Sequence, residues 1–197
     1  MAEVVQYRRG NLREAVLDRA LTVLRERGAD ALSLRELARD VGVSHAAPAR
    51  HFAGRRQLLD ALAVAGFAML ADRLHDAVAS DAGLPVRARR AADAYLDFAI
   101  GEANLVEVMF RHEDGRDATA IGRSATAAFA PLRELFPDDD DGGSAVTVFL
   151  AALQGIAGLV NCGVVPVESV PQLTHHAVSQ LGPGPRDQND RRTTNPS

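Results

Sequence analysis

The residues that could bind a polyanion are concentrated between positions 33 and 55. Positions 44–51 combine small side chains with hydroxyl, imidazole and guanidinium groups. Small residues let a helix approach base edges in the major groove of DNA, while the polar groups can hydrogen-bond to bases and phosphates. The candidate DNA-binding residues are His45, Ala46 and Ala47 nearest the bases, Ser44 beside them, and Ser33, Arg35, Arg50, His51 and Arg55 at the phosphates.

Two short helices joined by a tight turn must position these side chains. Ser33 and Glu36 have the spacing of a capping box, which begins a helix by satisfying free backbone N–H groups. Gly42 can end that helix in the left-handed conformation, and Ser44 can cap a second helix directly afterwards. The pattern predicts a helix-turn-helix. A surface helical hairpin with a chance capping box is the alternative on these residues alone.

Pro48 lies inside the second predicted helix. Proline lacks an N–H and clashes with the carbonyl four residues earlier. Because Pro48 falls in the first turn, where N–H groups have few partners within the helix, we expect that helix to persist.

With these motifs, the chain resembles the tetracycline-repressor (TetR) family of bacterial transcriptional regulators from Asn11 to about Leu70. It keeps the Val-Ser pair at 43–44 and the His-Phe pair at 51–52. It departs at Ala49, where the family commonly has a phosphate-contacting Tyr, and at Arg55, where Lys is usual. The SHAAP form of positions 44–48 is similar to one subgroup of the family.

The C-terminal part resembles one variety of regulatory domain in the same family more loosely, over positions 94–113 and 149–160. Gln154-Gly155 stands where that variety has His-Gly. The resemblance implies a homodimer on a palindromic DNA operator, with an intermolecular four-helix bundle formed by the last two long helices. It also implies a small-molecule effector that shifts the long helix beginning near Arg55. We expect a repressor released by a small, largely apolar ligand.

Composition favours an all-α protein, since alanine, leucine and valine dominate and strand-type alternation is absent. Positions 1–60 hold 11 Arg and 8 acidic residues, whereas the whole chain has a net charge of −4. A basic N-terminal part on an acidic body fits a protein that presents one end to DNA. The lone Cys162 and the absence of a secretion signal favour the cytoplasm. The apolar run 145–160 is too short to predict a membrane span.

The predicted helices cover 11–28, 33–41, 44–51, 55–79, 85–100, 104–111, 118–135, 144–160 and 167–181. We expect a DNA-binding domain at 10–70, a ligand-binding and dimerisation domain at 71–182, and a disordered tail at 183–197. We expect residues 1–10 to form a loose arm. Four aspartates at 138–141 lack the spacing of a calcium loop, so we expect no metal site. The helix at 144–160 is apolar on nearly every side, which favours burial across a two-fold dimer.

No constellation of residues predicts catalysis, and we expect neither enzymatic activity nor a cofactor. Cys162 is interpreted as a structural thiol rather than a redox sensor. The candidate ligand-binding residues are Tyr95, Phe98, Met109, Phe110, Phe129 and the polar Gln154. Ordinary core packing is the alternative for each of them. Two other functions stay open: a DNA-binding regulator with a filled core and no ligand, and a helical small-molecule-binding protein that does not bind DNA.

Overall fold

The computed structural model describes residues 12–111, 117–136 and 143–182. All regular secondary structure in these ranges is helical, which confirms the predicted all-α class. The predicted N-terminal arm, the aspartate run at 138–141 and the C-terminal tail lie outside the described residues.

Three helices build the N-terminal part: α1 (Leu12–Arg27), α2 (Leu34–Asp40) and α3 (Arg55–Val78). Gly28 has a φ of 77° and ends α1, as its position predicts. Short 3₁₀ helices at Ala29–Ala31 and Pro48–Arg50 connect the three. Because α3 runs for 24 residues without a break, the predicted domain boundary near residue 70 falls inside one continuous helix.

The C-terminal part consists of α4 (Leu84–Gly101), α5 (Ala103–Phe110), α6 (Ala118–Ala128), α7 (Ala130–Arg133), α8 (Ser144–Asn161) and α9 (Val170–Leu181). A 3₁₀ helix at Val167–Ser169 precedes α9. Helix α3 packs against α4, α5 and α6, and α8 packs against α4 and α9. One continuous cluster of buried residues extends from Val16 in α1 to Ala177 in α9, so α3 shares its core with both parts.

One predicted helix is split, and the N-cap of another differs from the prediction. The helix expected at 118–135 is split at Phe129 into α6 and α7. Pro131 explains the split, because it has no N–H to offer the carbonyl of residue 127 and its ring crowds that carbonyl. The N-cap of α8 is Gly143, with a φ of 91°, whereas we expected Ser144 to cap this helix.

Helix α8 extends beyond the apolar run at 145–160 by one residue at each end. Its 18 residues have a mean hydropathy of 1.6, so length and composition would allow a membrane span. Core helices of soluble proteins can have the same length and apolar composition. Only 22% of this segment is buried within the single chain, which leaves much of an apolar helix uncovered.

Gly66 lies where α3 approaches α5 closely. An added Cβ at Gly66 would lie 2.6 Å from Sδ of Met109 and 3.1 Å from Cγ of Leu105. We expect Gly66→Ala to lower the free energy of unfolding by about 1–2 kcal/mol, because overpacking exceeds the gain in helix propensity. Chemical denaturation measures the change. The matched control is Gly122→Ala in α6, where an added Cβ meets no atom within 4 Å. It should instead stabilise by about 0.5–1 kcal/mol, and a loss of stability there would contradict this account.

Candidate nucleic-acid interface and ligand cleft

Both ends of α2 are built as the sequence predicts. The side chain of Ser33 accepts a hydrogen bond from the backbone N–H of Glu36 (3.5 Å). At the other end Gly42 has a φ of 74°, the N–H of Val43 donates to the carbonyl of Ala38 (2.9 Å) and that of Gly42 donates to Arg39 (3.1 Å). These two bonds define a Schellman motif, which aims the chain sharply away from α2.

The second helix of the predicted helix-turn-helix is shorter than expected. Positions 44–47 form a turn closed by a bond from the N–H of Ala47 to the carbonyl of Ser44 (2.9 Å), and a 3₁₀ helix follows at Pro48–Arg50. The expectation that an α-helix survives Pro48 is therefore wrong. Without an N–H at Pro48, the carbonyl of Ser44 cannot take its α-helical bond, and in so short a segment one lost bond decides the conformation. We call positions 44–52 the reader segment.

The reader segment lies on the surface and is held from beneath. Phe52 is buried at 2% exposure, and the guanidinium of Arg13 lies 5.5 Å from the centre of its ring. Arg19 in α1 pairs with Asp40 at the end of α2 (3.0 Å). Because these contacts join the reader segment and α2 to α1, the position of the reader segment depends on that of α1. Sequence reasoning missed Arg13 and Arg19, because their partners are distant in the chain.

The candidate DNA-binding residues share one property, which is access to solvent. Those that are exposed are Arg35, Ser44, His45, Ala46, Arg50, His51 and Arg55; Ser33 and Ala47 are half-buried. Arg55 is also engaged within the protein, since its guanidinium donates to the carbonyl of Ala29 (2.9 Å) and lies 3.3 Å from Oδ1 of Asp30. Their contacts to DNA stay predictions.

A second feature is an open cleft of about 680 Å³ between α5 and α8. Its lining residues are Ala103, Asn104, Val106, Glu107, Phe110, Arg111, Gln154, Ala157, Gly158, Asn161 and Cys162. Two candidate ligand residues, Phe110 and Gln154, lie in this lining. Tyr95, Phe98 and Met109 are buried and Phe129 is half-buried, all outside the lining, so their part in ligand binding stays a prediction.

Tyr95 nevertheless touches the cleft through one residue. Its hydroxyl donates a short hydrogen bond to Oε1 of Gln154. Burial raises the pKa of Tyr95 well above its usual value, which keeps this hydroxyl protonated. Its ring also packs 6.4 Å from that of Phe129, and Phe129 lies 6.2 Å from Phe67 in α3. The cleft wall is thereby connected to the long helix.

Comparison with known proteins assigns the family. Residues 16–62 match the family described as bacterial regulatory proteins, tetR family. A protein of unknown function from Rhodococcus sp. RHA1 is 32% identical, with a TM-score of 0.77, over 90% of this chain and 96% of the other. The chain belongs to the TetR family. It is a DNA-binding transcriptional regulator.

Two further structures share the fold with this TetR-family chain. The TetR-like regulator LfrR from Mycobacterium smegmatis, solved with proflavine, is 20% identical, has a TM-score of 0.64, and aligns over 85% of this chain and 95% of its own. A putative TetR-family regulator from Vibrio parahaemolyticus is 19% identical, has a TM-score of 0.65, and aligns over 86% and 98%. No curated protein sequence matches this chain significantly.

In this TetR-family regulator, the cleft wall is also tied to the DNA-binding part. Glu102, between α4 and α5, accepts two hydrogen bonds from Arg25 near the end of α1, at 2.8 and 2.6 Å. The hydrogen bond to Glu102 raises the pKa of Arg25 above its usual value. Asn104 donates from Nδ2 to the carbonyls of Leu24 (3.0 Å) and Arg25 (3.2 Å). The last turn of α1 is therefore held from the C-terminal part.

Proposed function

We propose that this TetR-family regulator is a homodimeric repressor that binds a palindromic operator and is released by a small molecule bound in the α5–α8 cleft. The observation that carries the proposal is the reader segment: small and donor-bearing side chains, exposed on the surface, at the end of a fixed turn. Such a surface fits the major groove, and flanking arginines suit phosphates.

A two-fold dimer follows from the uncovered side of α8. Val148 is 52% exposed and Leu159 is 46% exposed, with Ala151 and Gly155 between them on the same side of the helix. We call these four residues the α8 stripe. Its small residues allow another helix to approach closely, and a second copy of the chain would cover it symmetrically. Two copies then present two readers, whose half-sites should lie about 34–36 Å apart on DNA.

The cleft supports a ligand-responsive regulator over one with a filled core. Its volume of about 680 Å³ is within the range of small-molecule sites. The exposed ring of Phe110 supplies apolar surface for the largely apolar effector that we expect. A TetR-like relative was solved with proflavine, a small aromatic molecule, and we extend this kind of ligand to the present chain. Since the protein acts on DNA, we expect it to work in the cytoplasm.

The proposal is tested by sequencing the genomic DNA fragments that the purified protein retains. We expect one palindromic motif, bound with a nanomolar Kd at physiological salt. Fragments without a shared motif, or no retention at low salt, would contradict the proposed regulator. A helical small-molecule-binding protein would then be the remaining interpretation.

Arg50→Ala tests the phosphate contacts. Removing one phosphate contact should weaken binding to all sequences and reduce the slope of log Kd against log salt by about 0.9. Titrations of a labelled operator at four salt concentrations measure both quantities. The matched control is Arg90→Ala, which removes the same charge from an exposed position near the start of α4. The start of α4 contacts Val78, at the opposite end of α3 from the reader. An unchanged slope for Arg50→Ala would exclude it from the phosphate contacts.

A further inference from the structure

Three side-chain carboxamides line the cleft, and each is fixed at one end by a hydrogen bond to another helix. We propose that the cleft takes an amphipathic ligand carrying N–H or O–H donors, and that Asn104 transmits its binding to α1. This inference rests on the proposed function in treating the cleft as the effector site.

The first carboxamide is Asn104, whose Nδ2 makes two hydrogen bonds to α1, one to each carbonyl described above. A carboxamide NH₂ has two hydrogens, so both are used and the group cannot rotate without losing them. Its Oδ1, which has two lone pairs, is then held in one direction as an acceptor.

The second is Asn161, whose Nδ2 donates to the carbonyl of Ala99 in α4 (3.0 Å), which likewise fixes its Oδ1. The third is Gln154, whose Oε1 is taken by Tyr95 and whose Nε2 keeps its donors. These contacts leave two acceptors, Oδ1 of Asn104 and Oδ1 of Asn161, together with the donors of Gln154 and the second N–H of Asn161. Orienting them before a ligand arrives reduces the entropic cost of binding.

The complementary ligand follows from this set. Donors on the ligand would satisfy Asn104 and Asn161, while an apolar ring would lie against Phe110, which is 45% exposed. Glu107 and Arg111 at the rim form an ion pair with each other, so their charges offset and demand no ionic ligand. Donors on an apolar frame, rather than apolar surface alone, should decide affinity.

Asn104 joins this site to the reader because the same carboxamide holds the last turn of α1. A ligand bound at Oδ1 fixes the group and polarises its N–H bonds, which strengthens its hold on Leu24 and Arg25. Helix α1 in turn carries Arg13 under Phe52 and Arg19 beside Asp40. Occupancy of the cleft should therefore change the freedom of α1 relative to the C-terminal part.

Two probes of equal frame test the ligand class on the full-length protein: naphthalene-2,6-diol and its dimethyl ether. The ether keeps the ring and oxygens but has no donors. We expect the diol to bind about tenfold more tightly in fluorescence titration, since each hydrogen bond contributes a few-fold. Asn161→Leu and Asn104→Leu should each reduce this preference about threefold. Equal affinities for the two compounds, or binding of neither, would overturn the proposal.

Hydrogen exchange of the amides at 24–28 tests the transmission. The diol at saturating concentration should slow exchange there about twofold in the wild type. In Asn104→Asp the acceptor oxygen remains but the donors to α1 are lost, so the diol preference should persist while the slowing disappears. The same slowing in Asn104→Asp would overturn the role of Asn104. Because no DNA is used, failure here is distinct from failure to retain an operator.

Discussion

Replacing Leu159 with Glu is expected to convert the proposed dimer into a monomer at micromolar concentration. The α8 stripe is apolar and uncovered, and a carboxylate at its C-terminal end would have to be buried without a partner in both subunits at once. Each buried charge costs several kcal/mol, and symmetry doubles the cost. Light scattering after gel filtration measures the mass directly.

The same change should weaken operator binding by a factor on the order of 10² to 10³, because a single reader loses the second half-site. The matched control is Val86→Glu at the start of α4, where the side chain is 48% exposed, compared with 46% for Leu159. It adds the same charge at the same exposure, away from α8. A dimer that tolerates Leu159→Glu would show that the subunits associate through another surface.

Phe67→Ala should produce the largest loss of stability, about 3–5 kcal/mol. Phe67 is 2% exposed in the middle of α3, and its ring meets Phe110 edge-on at 5.5 Å and Phe129 at 6.2 Å. Its removal leaves a cavity where α3, α5 and α6 meet. These helices cannot move far to fill the cavity, because each is also held by contacts to other helices. Urea unfolding followed by circular dichroism measures the change.

Phe110→Ala is the control from the same aromatic pair. Its ring is 45% exposed, so truncation removes less buried surface and should cost about 1–2 kcal/mol. Equal losses from both substitutions would mean that the aromatic cluster, rather than burial of Phe67, determines stability at this junction.

Local rules in the sequence were enough for most helix boundaries. The cap at Ser33, the glycines at 28 and 42 and the long periodic run of α3 act through neighbours only a few residues away, and the structure confirms them. Pro48 was misjudged because the reader helix is so short. Losing one bond from a helix of two turns removes a large share of its cooperativity, whereas a long helix would tolerate it.

The cleft could not be predicted from the sequence for a different reason. The candidate ligand-binding residues Tyr95 and Phe98 lie in the core, outside the lining of this cleft, because large apolar groups gain most from full burial. The contacts of Asn104 with Leu24 and of Asn161 with Ala99 join positions 80 and 62 residues apart. Such contacts depend on tertiary packing, and no local sequence pattern predicts them.

The brevity of the reader segment limits how much information one subunit can extract from a genome. A turn followed by a single 3₁₀ helix reaches only a few base pairs, and sites that short recur by chance in every few hundred nucleotides. Mismatches cost about 1–3 kcal/mol each, so in the proposed dimer selectivity would come from two half-sites that are bound together at a fixed separation. Spacing between half-operators should then be less tolerant of change than any individual base within them.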